Sequence, residues 1–127
     1  MRRYLILVNN IQQAENIVDL FDNGYSYIIR KYRTSAYGII KRDESVVYDI
    51  LLSGKNPDYY RGYRWNGVIK CCVVSHNELG NNIYPYLIEE YYDDKGNCHS
   101  LPFVDLFCDN DEMFLNAIKL IENYNSN

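Results

Sequence analysis

The fold turns on the stretch Asp43-Glu44-Ser45-Val46-Val47-Tyr48-Asp49-Ile50-Leu51-Leu52-Ser53. Val46, Val47, Ile50 and Leu51 recur at helical spacing and would make one apolar stripe. Asp43 stands where an N-cap belongs, and Gly54 follows the end. The same residues are rich enough in β-branched and aromatic types to form a strand. We read a helix over residues 43–53, with strand as the alternative. A helix gives the N-terminal part a ferredoxin-like βαββαβ order. A strand adds a member to the sheet.

On the N-terminal side, Arg3 to Val8 reads as a buried strand that stops at Asn9-Asn10. A helix follows, with Ala14, Ile17, Val18 and Phe21 on one face, Asn10 and Gln13 as a capping pair and Gly24 closing it. Tyr25 to Arg33 and Tyr37 to Lys41 read as antiparallel partners across a short turn. On the C-terminal side, Asn66-Gly67 is a strong hairpin signal, joining Tyr59–Trp65 to Val68–Val74. Residues 83–92 and 99–107 make a second candidate hairpin around Asp94-Lys95-Gly96-Asn97, and Pro102 confines its second arm to an edge. Asp109 with Glu112 marks the start of a last helix whose Phe114, Leu115, Ile118 and Ile121 share a face. The expectation is a single α+β domain over residues 1–127: a mainly antiparallel sheet with two or three helices packed on it.

That element order resembles the RNA-recognition motif over residues 3–75. Ile6-Leu7-Val8-Asn9-Asn10-Ile11 stands in the place of its strand-1 hexapeptide, and Ser35-Ala36-Tyr37-Gly38-Ile39-Ile40 in that of its strand-3 octapeptide. The family stacks bases on aromatics at these places. Here Tyr37 fits one stacking position, while Leu7 and Ile39 occupy the other two. The likeness is one of element order, not of function.

Composition narrows the classes. With 127 residues, 47% hydrophobic and 24% charged, the chain has ordinary globular composition and enough length for a core. No apolar run is long enough to span a bilayer, and no secretory signal opens the chain, so membrane partners are not expected. The four cysteines include an adjacent pair, Cys71-Cys72, whose side chains would point to opposite faces of a strand. Reduced thiols in a cytoplasmic protein are the simpler reading. Tyrosine is abundant, 14 against 4 Phe and 1 Trp, which suits interfaces but also follows from an AT-rich coding bias. Net charge is -4, unevenly spread: residues 1–64 carry 10 basic and 7 acidic groups, and residues 65–127 carry 3 and 10. That asymmetry suits partners of opposite sign as well as a plain solvated surface.

Catalytic signatures are missing. Neither a nucleophile elbow nor a complete phosphate loop occurs, and Ser53-Gly54-Lys55 lacks the glycine such a loop needs. Cys71, Cys72, His76, Cys98, His99 and Cys108 contain no paired-cysteine spacing for zinc, so neither metal nor cofactor is expected. Two surfaces remain. Tyr84, Tyr86, Glu89, Glu90, Tyr91, Tyr92, Asp93 and Asp94 combine aromatic anchors with carboxylates, as a face for a basic protein would. Arg30, Lys31, Arg33, Tyr59, Arg61, Tyr63, Arg64 and Trp65 combine cations with rings, as a single-stranded nucleic-acid face would. The leading expectation is a non-enzymatic inhibitor, of the immunity or phage counter-defence type, that occludes a basic or nucleic-acid-processing protein. An RNA-binding module is the alternative. A nucleotide or small-ligand binder, with pockets at a homo-oligomer interface, is the third reading.

Overall fold

A computed structural model of the chain describes residues 1–33, 36–55, 64–75, 77–87, 90–100 and 104–123. The strands and α-helices follow the order β1 (Arg2–Val8), α1 (Ile11–Asp19), β2 (Tyr27–Arg33), β3 (Ala36–Lys41), β4 (Val46–Leu52), β5 (Gly67–Lys70), β6 (Glu90–Tyr92), β7 (Cys98–Ser100), β8 (Val104–Phe107) and α2 (Asp111–Asn123). A wide helical turn, Glu78–Ile83, and a 3-10 turn, Tyr84–Tyr86, lie between β5 and β6.

The fold is α+β, with a six-stranded sheet ordered β2-β3-β4-β1-β5-β8 and a separate two-stranded ribbon, β6-β7. The meander β2-β3-β4 and the ribbon are antiparallel. The other half differs: β4, β1, β5 and β8 pair in parallel. Parallel strands at a sheet centre are covered on both faces and read as continuous apolar runs. Strand β1 behaves so, with Tyr4, Leu5, Ile6, Leu7 and Val8 all buried.

Residues 46–52 are strand β4, not a helix, so the ferredoxin-like order is not formed. Each residue of β4 pairs with one of β1, from Arg2 with Val46 to Val8 with Leu52. Both faces of β4 are buried, and an apolar run filling two faces mimics helical spacing. Asp43 serves the turn before β4, where its Oδ1 accepts the Ser45 backbone N–H. Glu44 beside it adopts a left-handed φ of 61°.

Asn66-Gly67 makes no hairpin turn either. Neither residue has the positive φ such a turn requires. Instead Gly67 opens β5, which runs parallel to β1. Asn66 is pinned to Arg3 from both sides: its N–H donates to the Arg3 carbonyl at 2.6 Å, and its Oδ1 accepts the Arg3 N–H at 2.9 Å. The first arm of the expected hairpin, residues 59–63, lies outside the described residues. The second expected hairpin survives in part. Its turn joins β6 to β7, while Val104–Phe107 leaves the ribbon for the edge of the main sheet.

The two faces have different cover. Tyr4, Ile6, Val8, Tyr48, Ile50 and Ile69 face α1 and α2, meeting Ala14, Ile17, Phe21, Phe114, Ile118 and Ile121. Leu5, Leu7, Leu51 and Val68 face the other way, against Trp65, Leu79 and Ile83. Helix α1 starts at Asn10, whose side chain accepts the Gln13 N–H at 2.8 Å. Helix α2 is capped by Asn110, one residue past the expected Asp109; its Oδ1 accepts the Met113 N–H at 2.9 Å.

Candidate functional site

Strands β4, β1, β5 and β8 run in one direction, so their carboxyl ends share one end of the sheet. From β1 the chain leaves through α1, on one face, toward the β2 side. From β5 it leaves through the Glu78–Ile83 turn, on the opposite face, and returns as edge strand β8. The two departures diverge, and neighbouring strands whose connections diverge leave a crevice beyond their carboxyl ends. A cleft of about 610 Å³ lies there, lined by Asn9, Asn10, Gln12, Gln13 and Asn16 from the β1–α1 side. Cys71, Cys72 and Val73 line it from the end of β5. A smaller cavity of about 130 Å³ shares Gln13, Asn16 and Cys71 and reaches Cys108 and Asn110.

Among the described residues, the lining of the larger cleft carries amides, thiols and one apolar side chain, with no cation and no carboxylate. Gln13 builds the cleft: its Oε1 accepts the Asn9 N–H, and its Nε2 donates to the Cys71 carbonyl at 2.7 Å. That bridge fixes the start of α1 against the end of β5. Gln12 donates from Nε2 to Asn16 Oδ1 at 3.0 Å, one helical turn on. Burial pushes the Cys71 thiol up to about 12, and the neighbouring Cys108 and Cys72 sulfurs and Asp111 add to that. Burial raises Cys72 as well, and a hydrogen bond with Ser53 partly offsets it. Both thiols are protonated at neutral pH and are poor nucleophiles. No disulfide joins any of the four cysteines. No group of three or more metal-ligating side chains occurs among the described residues. No helix among them is long and apolar enough to cross a membrane.

The residues expected to form an acidic, tyrosine-rich face fall on the 3-10 turn, β6 and the ribbon turn. Tyr84 and Tyr86 lie in the 3-10 turn, and Glu90, Tyr91 and Tyr92 form β6. Glu89 lies outside the described residues. Tyr86 is half-buried, with its ring centroid 5.8 Å from that of Trp65. Asp93 builds the ribbon turn, its Oδ1 accepting the N–H groups of Lys95 and Asn97, both at 2.9 Å. Asp94 is exposed at that turn.

The described members of the basic-aromatic set lie in two separate parts of the chain, on β2 and just before β5. Arg30, Lys31 and Arg33 sit exposed on edge strand β2, separated from β5 by β3, β4 and β1. Lys31 places its ammonium 5.5 Å from the Tyr37 ring centre, and Arg64 lies 5.7 Å from that of Tyr86. Tyr59, Arg61 and Tyr63 lie outside the described residues. Trp65 is fully buried and donates from Nε1 to Asp49 at 2.9 Å, so its ring is not presented for base stacking.

Sequence reasoning passed over the amide cluster at residues 9–16. Its signal is the run Asn9-Asn10-Ile11-Gln12-Gln13, four amides at a strand-to-helix turn, which by local pattern is a helix cap. Compared with protein families, curated proteins and solved structures, the chain matches none.

Proposed function

We propose that the chain is a non-enzymatic binding protein that seats a small polar ligand in the crevice between the carboxyl ends of β1 and β5. The observation that carries this reading is the divergence of the two connections there, with the cleft opening at that point. Ligand sites in open parallel sheets gather at such reversals, where backbone and loop groups converge without competing for the sheet's own hydrogen bonds. The protonated thiols support binding over nucleophilic catalysis. The test is native mass spectrometry of the purified protein before and after denaturation, on wild type and an Asn16→Leu variant. A stoichiometric added mass, released on unfolding and reduced in the variant, is the expected result. An added mass that the variant retains in full would overturn this siting.

A second reading, occlusion of a basic protein partner, is favoured by the ribbon. Among the described residues, strands β6 and β7 pair with each other and with no strand of the main sheet, and their turn exposes Asp94 and Lys95. So short a ribbon is marginal by itself and gains from a docking partner. Capture of one protein from lysate, lost when Tyr91 and Tyr92 become Ala and Asp94 becomes Lys, is the expected outcome for this reading. Asp93 is left intact in that variant because it holds the turn. Capture unchanged by it would remove the ribbon from consideration.

A further inference from the structure

Resting on the crevice reading, we infer that its ligand is an uncharged hydrogen-bonding ring of the nucleobase or nucleoside class, held edge-on by Gln12 and Asn16. The described lining favours a neutral ligand by its chemistry. A phosphate or carboxylate ligand calls for a Lys or Arg, and a cationic ligand for a carboxylate; neither is among the described residues that line the cleft. What it offers is a row of amides, each both donor and acceptor.

Their existing bonds set the pattern left for a ligand. Gln13 spends both ends of its amide on Asn9 and Cys71. Asn10 spends its oxygen on the helix cap. Gln12 and Asn16 are joined through Gln12 Nε2 and Asn16 Oδ1, which leaves Gln12 Oε1 as an acceptor and Asn16 Nδ2 as a donor within one bonded amide pair that lines the cleft. An adjacent acceptor and donor is the complement of a base edge that presents a donor beside an acceptor, as adenine does with its amino group and ring nitrogen. The ring faces need apolar cover. Val73, at the cleft's other side, is 90% exposed, an unusual position for a valine that a flat ring would cover. Both Gln12 and Asn16 are exposed on α1, so changing them leaves the core intact.

The experiment is titration of the isotopically labelled full chain with adenosine, guanosine, cytidine and uridine, following backbone and side-chain amide resonances. The matching 5′-monophosphates, glucose and a mixture of neutral amino acids are titrated in parallel. Wild type is compared with Asn16→Asp, which keeps the shape but replaces the Nδ2 donor by an acceptor. The expected result is binding of at least one nucleoside, with shifts at residues 9–16 and 71–73. Asn16→Asp should weaken it about tenfold or more with the thermal midpoint little changed. Binding of monophosphates alone would overturn the inference, because the anion would then be what is read. Binding of glucose or an amino acid at the same resonances, without nucleosides, would overturn the ligand class and leave the crevice reading standing. No shift in residues 9–16 with any compound would overturn the ligand class, and the native mass spectrum then decides the crevice reading separately.

Discussion

Asp49 has no exposed surface, yet it carries a carboxylate into the middle of the sheet. Arg3 approaches it with two donors, Nε at 2.6 Å and an NH2 nitrogen at 3.1 Å, and Trp65 Nε1 completes the set at 2.9 Å. These three residues come from β1, β4 and the entry to β5, three adjacent strand positions in space and far apart in sequence. Such a group is tolerable only while every partner is present, since an uncompensated charge in the interior is costly. Asp49→Ala removes the buried carboxylate that faces the Arg3 guanidinium, which is only 18% exposed. It should cost about 3–5 kcal/mol in urea unfolding. Trp65 reports the same site optically. Its emission in the wild type should be that of a buried indole, shielded from acrylamide, and in Asp49→Ala it should shift to the red and quench readily. Unchanged stability in that variant would show that the triad is incidental to the fold.

The last turn of α2 is held to the sheet through one carboxylate. Glu122 accepts the hydroxyls of Tyr27 and Tyr48, the latter at 2.7 Å, and pairs with Lys41 at 3.1 Å. Arg2 donates to the Ile121 carbonyl at 2.9 Å, placing a cation at the helix C-terminus. Burial, then the bond to Glu122 and its charge, raise both tyrosines well above their ordinary value. The folded state therefore keeps protons that the unfolded chain releases near pH 10. Stability is fully present below about pH 10 and falls above it. The loss is about 1.4 kcal/mol per pH unit for buried Tyr48 and less for Tyr27, which is partly solvated. Urea unfolding between about pH 9 and about pH 11 should show that decline, and Tyr48→Phe should flatten it; an equal decline in the variant would place the titrating group elsewhere. Little of this was legible beforehand. Helices α1 and α2 were, because each buries one stripe, and a one-sided stripe has a helical period. Strand β4 was not, because a strand buried on both faces has no alternation to read. Tyr48 and Asp49, the two residues that interrupt its aliphatic run, are reconciled with burial only by Glu122 on one face and Arg3 with Trp65 on the other.

Across the whole molecule, the position of β1 explains why the amide cluster at its end has the local pattern of a cap and not of a site. Only when β1 is known to lie between β4 and β5, with connections leaving on opposite faces, does the Asn9-Asn10 turn become a crevice wall. Pairings this distant in sequence, residues 2–8 with both 46–52 and 67–70, cannot be inferred from local pattern. The same position sets a hierarchy of local stability. Amides of β1 are bonded along both edges and covered on both faces, so they should open only with the whole domain. Strand β2 is an edge with alternately exposed residues, and the β6–β7 ribbon consists of two strands of three residues each. Hydrogen exchange followed by mass spectrometry should therefore be slowest for the peptide covering residues 4–8, intermediate for β3 and β4, faster for β2, and fastest for residues 90–100. If a crevice ligand is bound, protection should rise first in residues 9–16 and 71–73, because binding to the folded state raises the cost of every opening that breaks the site. Protection of the ribbon equal to that of β1 would mean that 90–100 is held by contacts beyond its own pairing. That outcome would favour the ribbon over the crevice as the working surface.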